Sequence, residues 1–212
     1  MSAGKKAIFF ILLILIADQA LKIWIKTHLY IGQEIHLFGN WGMLHFIENN
    51  GMAFGMEMGG KPGKLILSIF RILAIFGIGW YLSTLVKNKA NFGFILAVSA
   101  ILAGAIGNII DSAFYGMIFS DSYTSIAKLF PQGGGYASFL HGRVVDMFYF
   151  PVINTHWPQW SPFRPGQSLV FFRPVFNLSD ASITCGVFSI LIFQKSMLKE
   201  HQDAETEALP ES

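Results

Sequence analysis

Residues 176–181 read FNLSDA and open the last long apolar run of the chain. Asp180 lies a few residues inside that run, which is long enough to cross a membrane as a helix. An ionisable side chain at membrane depth is costly, so it is a functional hypothesis by default. A second acid, Asp146, stands in the earlier segment GRVVDMF at residues 142–148. We predict that the Asp146 and Asp180 carboxylates meet near the outer membrane surface and act on one water molecule.

The composition indicates a protein with several membrane spans. Of the 212 residues, 53% are hydrophobic and 13% are charged, whereas soluble domains carry roughly 25% charged residues. The formal net charge of +2 is too small to suggest a nucleic acid as a partner. Cys185 is the single cysteine, which excludes an intramolecular disulfide and C-x-x-C motifs.

The hydrophobic pattern predicts an all-α membrane protein. Four apolar runs predict transmembrane helices at about residues 7–27, 64–86, 92–115 and 176–197. Turn signals between short apolar pieces predict a small antiparallel sheet at about residues 31–60. A long loop, at about residues 116–175, is rich in glycine and proline. We expect the sheet and this loop to be extracytoplasmic.

The positions of the basic residues predict the topology. Lysines flank three helix ends, at Lys5, Lys6, Lys87, Lys89, Lys195 and Lys199. Because basic residues favour the cytoplasmic side of a membrane, all three ends and both termini are predicted to be cytoplasmic. Residues 1–199 then form a single membrane domain, and the acidic residues 200–212 form a disordered cytoplasmic tail.

Polar side chains within the apolar runs converge at one depth, near the outer ends of the predicted helices. They are Asp18, Lys22, Asn108, Asp111, Asn177 and Asp180, with Asp146 on the loop before the fourth helix. Chance placement would scatter such residues along the helices. The convergence therefore predicts a functional site.

Each of these residues also has a structural interpretation. Asp18 and Lys22 are four residues apart with the acid first, the order that favours an ion pair within a helix. Asn108 and Asp111 share a helix face, where hydrogen bonds between helices explain them as well as substrate contacts do. Asn177 is placed to cap the fourth helix.

Carboxylates are the candidate catalytic groups of this sequence. His45 and His141 lack metal-ligand spacing, so neither a metal nor a cofactor is predicted. Two carboxylates held close together share one proton, which suits them to acid–base work on water. Membrane acids also serve proton relays in transporters, and they can simply hold helices together in a scaffold. Gly104 and Gly107 are predicted positions of close helix packing.

Five sequence blocks in order carry a resemblance to a known family. They are DQALK at 18–22, NNGMAF at 49–54, GNIID at 107–111, VVDM at 144–147 and FNLSDA at 176–181. The chain resembles lipoprotein signal peptidases, the type II signal peptidases of bacteria, over about residues 7–197. The stretch between Asp111 and Asp146 is similar to the longer version found in Bacteroidetes.

The resemblance implies an intramembrane aspartyl endopeptidase that removes signal peptides from diacylglyceryl-modified prolipoproteins. Asp146 and Asp180 match the catalytic pair of the family. Family positions that line or support the site correspond here to Asn49, Gly51, Asn108, Asp111 and Asn177. Family positions with a structural role correspond to Asp18 and Lys22. The expected enzyme is a monomer of a bacterial inner membrane, in contact with lipid, with its site near the periplasmic face.

Two positions depart from the family pattern. Ser112 stands where the family has an arginine that is expected to help position the substrate, and Arg143 is our candidate to replace it. Ser179 stands where alanine is usual.

Overall fold

We describe the fold from a computed structural model of the chain. The described residues are 1–50, 60–151, 153–156, 158–160, 162, 164–171 and 174–207. Gly51, which the sequence places in the site, lies outside these residues, and so does the end of the predicted tail at 208–212.

Helices dominate the described residues. They are α1 (Ala3–His28), α2 (Gly60–Lys87), α3 (Phe92–Ile110), the one-turn α4 (Gly116–Ile118) and α5 (Leu178–Glu207). Helix α3 continues into α4 through a π-helical turn at Asp111–Tyr115. Such turns are frequent at functional sites.

Three helices of the described residues are long and apolar enough to cross a membrane. Their spanning parts are Ala3–His28, Pro62–Lys87 and Phe92–Ile118. The first part of α5, Leu178–Phe193, is a shorter apolar helix. The helices agree with the predicted membrane protein, whereas the number of four spans stays a prediction.

A four-stranded antiparallel sheet lies beside the helices. Its order is β1-β2-β3-β6, formed by Glu34–His36, Met43–Asn49, Val144–Tyr149 and Val175–Phe176. A separate pair joins β4 (Ile153–His156) to β5 (Ser168–Phe171). The predicted small antiparallel sheet is therefore confirmed, but it is larger than residues 31–60, because β3 and Val175 come from the predicted loop and Phe176 from the start of the predicted fourth helix.

The placement of Asp146 on a loop was wrong. Asp146 lies within β3, directly opposite Ile47 of β2. The β-branched and aromatic residues around it, which include Val144, Val145 and Phe148, favour an extended strand. Asp146 is thus fixed by a ladder of backbone hydrogen bonds rather than by a loop.

Helix α5 also differs from the expectation at its end. It continues through Glu207, whereas the sequence predicted disorder from residue 200. Residues 198–207 read LKEHQDAETE, in which leucine, lysine, glutamate, glutamine and alanine are good helix formers.

Glycines bring α3 and α5 into close contact. A Cβ atom at Gly104 would overlap the Ser179 carbonyl oxygen, and one at Gly107 would overlap the Ser179 hydroxyl. The two predicted packing positions therefore lie at a helix crossing. This crossing sets the end of α3 beside the start of α5, which places Asn108 next to Asp180.

Candidate active site

Asn177 caps the amino end of α5. Its side-chain oxygen accepts a hydrogen bond from the Asp180 backbone N–H at 2.8 Å. In return, the Asp180 Oδ2 accepts a hydrogen bond from the Asn177 N–H at 3.3 Å. This reciprocal arrangement is a capping box. The three-residue spacing of Asn177 and Asp180 therefore both stabilises the start of α5 and places Asp180 in its first turn.

The Asn177 side chain also holds Asp146. Its Nδ2 donates to the Asp146 Oδ1 at 2.7 Å and to the Val145 carbonyl oxygen at 3.2 Å. The other carboxylate oxygen of Asp146 accepts a longer bond of 3.4 Å from Asn49 Nδ2. One amide therefore connects the strand acid and the helix acid.

A second amide approaches Asp180 from α3. Asn108 Nδ2 donates to the Asp180 Oδ1 at 2.8 Å, and Asn108 Oδ1 accepts from Asn177 Nδ2 at 3.1 Å. Lys22 Nζ donates to the same Asn108 oxygen at 3.0 Å. This lysine contact fixes which end of the Asn108 amide faces Asp180.

Beneath these amides lies a buried ion cluster. Lys22 pairs with Asp18 and with Asp111, each at 2.9 Å, and all three side chains are fully buried. Gln19 donates to Asp111 at 3.0 Å and accepts from the Tyr115 hydroxyl at 3.0 Å. The predicted ion pair of Asp18 and Lys22 is present, and Asp111 extends it to a triad.

This cluster ties the surrounding elements together. Asp111 Oδ2 accepts from the Val145 N–H of β3 at 3.2 Å, and Asp18 Oδ1 accepts from the Ser179 N–H of α5 at 2.9 Å. The two acids therefore hold the residues that immediately precede Asp146 and Asp180. Their contacts are those of supporting residues.

The environment of Asp146 is unfavourable for a negative charge. The residue is 2% exposed. Burial, followed by the charge of Asp180, raises the Asp146 pKa to about 7, against the opposing effects of Lys22, Asn177 and Asn49. Asp146 therefore keeps its proton in slightly acidic conditions, where an ordinary aspartate is ionised.

Arg143, the predicted replacement for the family arginine, belongs to an ion cluster of its own. Its guanidinium pairs with Glu48 at 3.0 Å and with Asp121 at 2.6 Å, and it stacks over Tyr136. Glu48 also pairs with the buried Lys26. Opposite charges supplied by distant parts of the chain hold Arg143 in this cluster, and its role in positioning the substrate stays a prediction.

Two residues of the site were missed in the sequence. Gln19 belongs to the quoted DQALK block, yet only the fold shows that it joins Asp111 to Tyr115. Arg71 of α2 interacts electrostatically with Asp180, Asp146 and Asp111. Arg71 could have been identified in the sequence, because it is a single charged residue within an apolar run.

The arrangement offers no obvious metal site. Within the described ranges, no group of three or more His, Cys, Asp or Glu residues is placed to hold a metal ion. The absence of a metal and of a cofactor stays a prediction.

The fold and the site together are those of a protein with membrane-spanning helices in which Asn177 connects two acids, Asp146 and Asp180. Asn177 contacts both acids, and burial and the charge of Asp180 raise the Asp146 pKa to about 7. Such a pair can both donate and accept a proton, which is the chemistry that hydrolysis by activated water requires.

Comparisons with known proteins agree with this class. The family model described as signal peptidase (SPase) II matches residues 10–195. The lipoprotein signal peptidase of Porphyromonas gingivalis strain W83 is 50% identical over 190 residues, which cover 89% of this chain and 82% of that protein. The lipoprotein signal peptidase of Amoebophilus asiaticus is 36% identical over 192 residues, which cover 89% of this chain and 77% of that protein.

A solved structure shares the fold. It is described as "Bacterial membrane enzyme structure by the in meso method at 1.9 A resolution" and superposes with a TM-score of 0.57 at 24% identity. The match covers 89% of this chain and 91% of that one. The chain belongs to the signal peptidase II family, and it is a peptidase of the aspartic type. The predicted family resemblance is thereby confirmed, and a transporter is not supported.

Proposed function

We propose that this peptidase removes signal peptides from diacylglyceryl-modified prolipoproteins by means of a catalytic dyad formed by Asp146 and Asp180. The observation that carries the proposal is the connection of both acids through Asn177, which donates to Asp146 at 2.7 Å and caps α5 at Asp180. The family membership supports this substrate, since the similar proteins from Porphyromonas gingivalis and Amoebophilus asiaticus are lipoprotein signal peptidases.

The environments of the two acids support different roles. Asp146 is buried, and its pKa is raised to about 7 by burial and by the charge of Asp180. Asp180 is only partly buried and lies in the first turn of α5, where the helix end favours negative charge. We therefore assign the shared proton to Asp146 and the role of general base to Asp180.

The reaction then follows the usual balance of acid–base hydrolysis. Asp180 takes a proton from water while the water oxygen adds to the scissile carbonyl carbon, and Asp146 donates its proton to the carbonyl oxygen. The tetrahedral intermediate next expels the amine, which leaves with the proton held by Asp180. Asp146 recovers its proton from the hydroxyl that becomes the new carboxyl group.

The amides and the ion triad are assigned supporting roles. Asn108 and Asn177 orient the two carboxylates through direct hydrogen bonds. The Lys22 triad orients Asn108 and anchors the backbone next to both acids. Preorganised donors of this kind lower the barrier because they need no rearrangement during the reaction.

The proposed setting is a bacterial inner membrane with the dyad near its periplasmic face. The acyl chains of the substrate stay in the bilayer while the bond to be cut lies at the surface, so lipid contact can position it. We propose four spans, both termini in the cytoplasm and a monomer in contact with lipid. The large exposed apolar residues of α2 and α5 suit lipid contact, among them Phe70, Phe76, Trp80, Phe188 and Ile192.

The test of the proposed function is cleavage of a lipid-modified prolipoprotein by the purified enzyme in lipid. We expect Asp146→Asn and Asp180→Asn each to abolish cleavage, because asparagine can neither accept nor release the proton. Asp121→Asn is the matched control, since it makes the same chemical change at an exposed acid in the Arg143 cluster, and it should keep cleavage.

Folding must be measured in the same preparations. Wild-type membrane insertion and thermal stability in the two inactive variants would tie the loss of cleavage to chemistry. Normal cleavage by either well-folded variant would refute the dyad, and loss of folding in both would favour a structural role for the acids.

A further inference from the structure

The loop between α4 and β3 carries large apolar side chains that its own chain leaves exposed. Together with two residues at the end of the α3 span, three of them form a surface that we call the rim patch. Its members, each about half exposed or more, are Phe114 and Met117 of the span and Leu129, Phe130 and Phe139 of the loop. Contiguous apolar patches on a protein surface mark contacts with a partner or a membrane.

Backbone hydrogen bonds hold part of this loop against the end of the α3 span. N–H groups of the loop donate to carbonyl oxygens at 2.7–3.3 Å, from Phe130 to Ile118, from Ala137 to Gly116, from Leu140 to Ala113 and from Gly142 to Ser112. The acceptors come in reverse chain order, so residues 130–142 form a strap that runs back along the end of the span.

The side chains of the strap and the span make one surface. Phe139 packs edge-on against Phe114, with ring centroids 5.9 Å apart. Gly135 lies so close to α4 that a Cβ atom there would overlap the Met117 carbonyl oxygen. Leu129, just before the strap, forms a β-bridge to the residue that follows α4. The rim patch is therefore continuous with the exposed surface of a membrane-spanning helix.

The length of the span places the rim patch at a membrane surface. The span Phe92–Ile118 has 27 residues, about 40 Å of helix, whereas the hydrocarbon core of a bilayer is about 30 Å thick. At its first end, the exposed Lys87 and Lys89 precede the helix and stay at the polar surface. The surplus of about 10 Å therefore lies at the other end, in the interfacial layer of the bilayer.

Phe130 also indicates a contact outside the chain. Its φ of 49° lies in the left-handed region, where a bulky residue is strained. The residue is 72% exposed, so the fold itself covers little of the ring. Aromatic rings are favoured in the interfacial layer of a bilayer, and the neighbouring exposed Lys128 can extend its amine to the headgroups of that layer.

We propose that the rim patch docks the strap in the interfacial layer of the lipid bilayer, beside the end of the α3 span. The strap ends at Gly142, where a Cβ atom would overlap the Asp111 carbonyl oxygen, and β3 begins two residues later at Val144. Lipid contact would thus hold the end of α3 and the start of β3 at one depth. The inference needs only that the α3 span crosses a membrane, and it does not depend on the dyad.

The experiment measures the depth of single nitroxide labels by electron paramagnetic resonance. The full-length protein in a Cys185→Ala background is placed in vesicles of phosphatidylethanolamine and phosphatidylglycerol. Labels at Phe130→Cys and Phe139→Cys test the patch. Gln132→Cys is the matched control, an exposed polar residue in the turn between them, and Trp80→Cys is the lipid reference on α2.

Oxygen concentrates in the bilayer, whereas a nickel chelate stays in water. The ratio of oxygen to nickel collisions should be highest at Trp80→Cys, then Phe139→Cys, then Phe130→Cys, and lowest at Gln132→Cys. Phe139 is paired with Phe114 and Phe130 with Ile118. These partners are four residues apart along the helix, so the two labels should differ in depth by about 6 Å.

Two results would overturn the inference. A ratio at Phe130→Cys or Phe139→Cys equal to that of Gln132→Cys would place the strap in water. Few collisions with either reagent would mean that another protein or a second copy covers the patch. Thermal melts of each labelled protein establish that it is folded, and either position alone suffices if the other label disturbs the strap. Failure of the proposed function would appear in the cleavage assay and leave these ratios unchanged.

Discussion

Asn177 is the residue on which the geometry of the site depends. Its oxygen caps α5 by accepting the Asp180 N–H, while its nitrogen donates to Asp146 and Asn108. A single buried side chain thus links a helix start, a strand and a second helix. The Asp146 pKa is raised in this network, because burial and the charge of Asp180 oppose its ionisation.

The raised pKa of Asp146 predicts that the free energy of unfolding depends on pH. The Asp146 pKa is about 7 in the fold and 3.8 in its ordinary state. The folded state therefore binds the proton more tightly, and the free energy of unfolding falls as pH rises from about 4 to about 7, by at most about 4 kcal/mol. Asp146→Asn cannot ionise, so thermal melts should show it more stable than the wild type at pH 8 and lacking this part of the pH dependence.

The control is again Asp121→Asn. Burial raises the Asp121 pKa, but the Tyr123 N–H and the Arg143 guanidinium together outweigh it and lower the pKa. Removing that acid should bring no stabilisation at pH 8. If Asp146→Asn were the less stable variant across the whole pH range, Asp146 would contribute structure rather than strain.

The crossing of α3 and α5 determines whether the two halves of the site meet. Gly104 and Gly107 allow the Ser179 backbone to approach α3, and this brings Asn108 into contact with Asp180. The Ser179 hydroxyl is buried there, and it has no hydrogen-bond partner in the part of the chain that the structure describes. Alanine at this position would avoid that cost.

A methyl group at the crossing should separate the helices. Gly104→Ala would overlap the Ser179 carbonyl, and overpacking of this kind typically costs about 1–3 kcal/mol. Gly77→Ala makes the same change in α2, where a Cβ meets nothing within 4 Å. Thermal melts should show a lower midpoint for Gly104→Ala and an unchanged or higher one for Gly77→Ala; equal midpoints would contradict the packing argument.

The elements differ in how far the sequence predicted them. Continuous apolar runs predicted the long helices, and i, i+4 spacing predicted the contact of Asp18 with Lys22. Strand β3 was missed because its partner β2 is 97 residues away, as the contact of Asn49 with Asp146 shows, so only the β-branched and aromatic residues of β3 itself indicated a strand. The ion pairs of Arg143 with Glu48 and Asp121 were likewise not visible in the sequence, because they join separate parts of the chain.

At the scale of the whole molecule, polar groups gather at one end of a helix bundle while apolar surface covers the rest. The Lys22 triad, the two amides and the two acids lie where α1, α3 and α5 meet the sheet. This distribution agrees with the proposed position of the dyad near one membrane surface. The end of α2 and the start of α3 form the opposite pole, with Lys87 and Lys89 in the turn between them.

The proposed topology predicts which pole faces the periplasm. In a Cys185→Ala background, Asn88→Cys marks the turn after α2 and Gln132→Cys marks the long loop, and both native residues are exposed. A membrane-impermeant thiol reagent should label Gln132→Cys in intact spheroplasts and Asn88→Cys only after lysis. The reverse labelling would place the site on the cytoplasmic side.

The most direct test of the central claim compares the two aspartate variants with the double variant under single-turnover conditions. If Asp146 and Asp180 act as one catalytic unit, each asparagine substitution should lower the cleavage rate by at least about 1,000-fold, and the double variant should be no slower than the singles. Independent, multiplying losses in the double variant, or substantial cleavage by either single variant, would contradict the dyad.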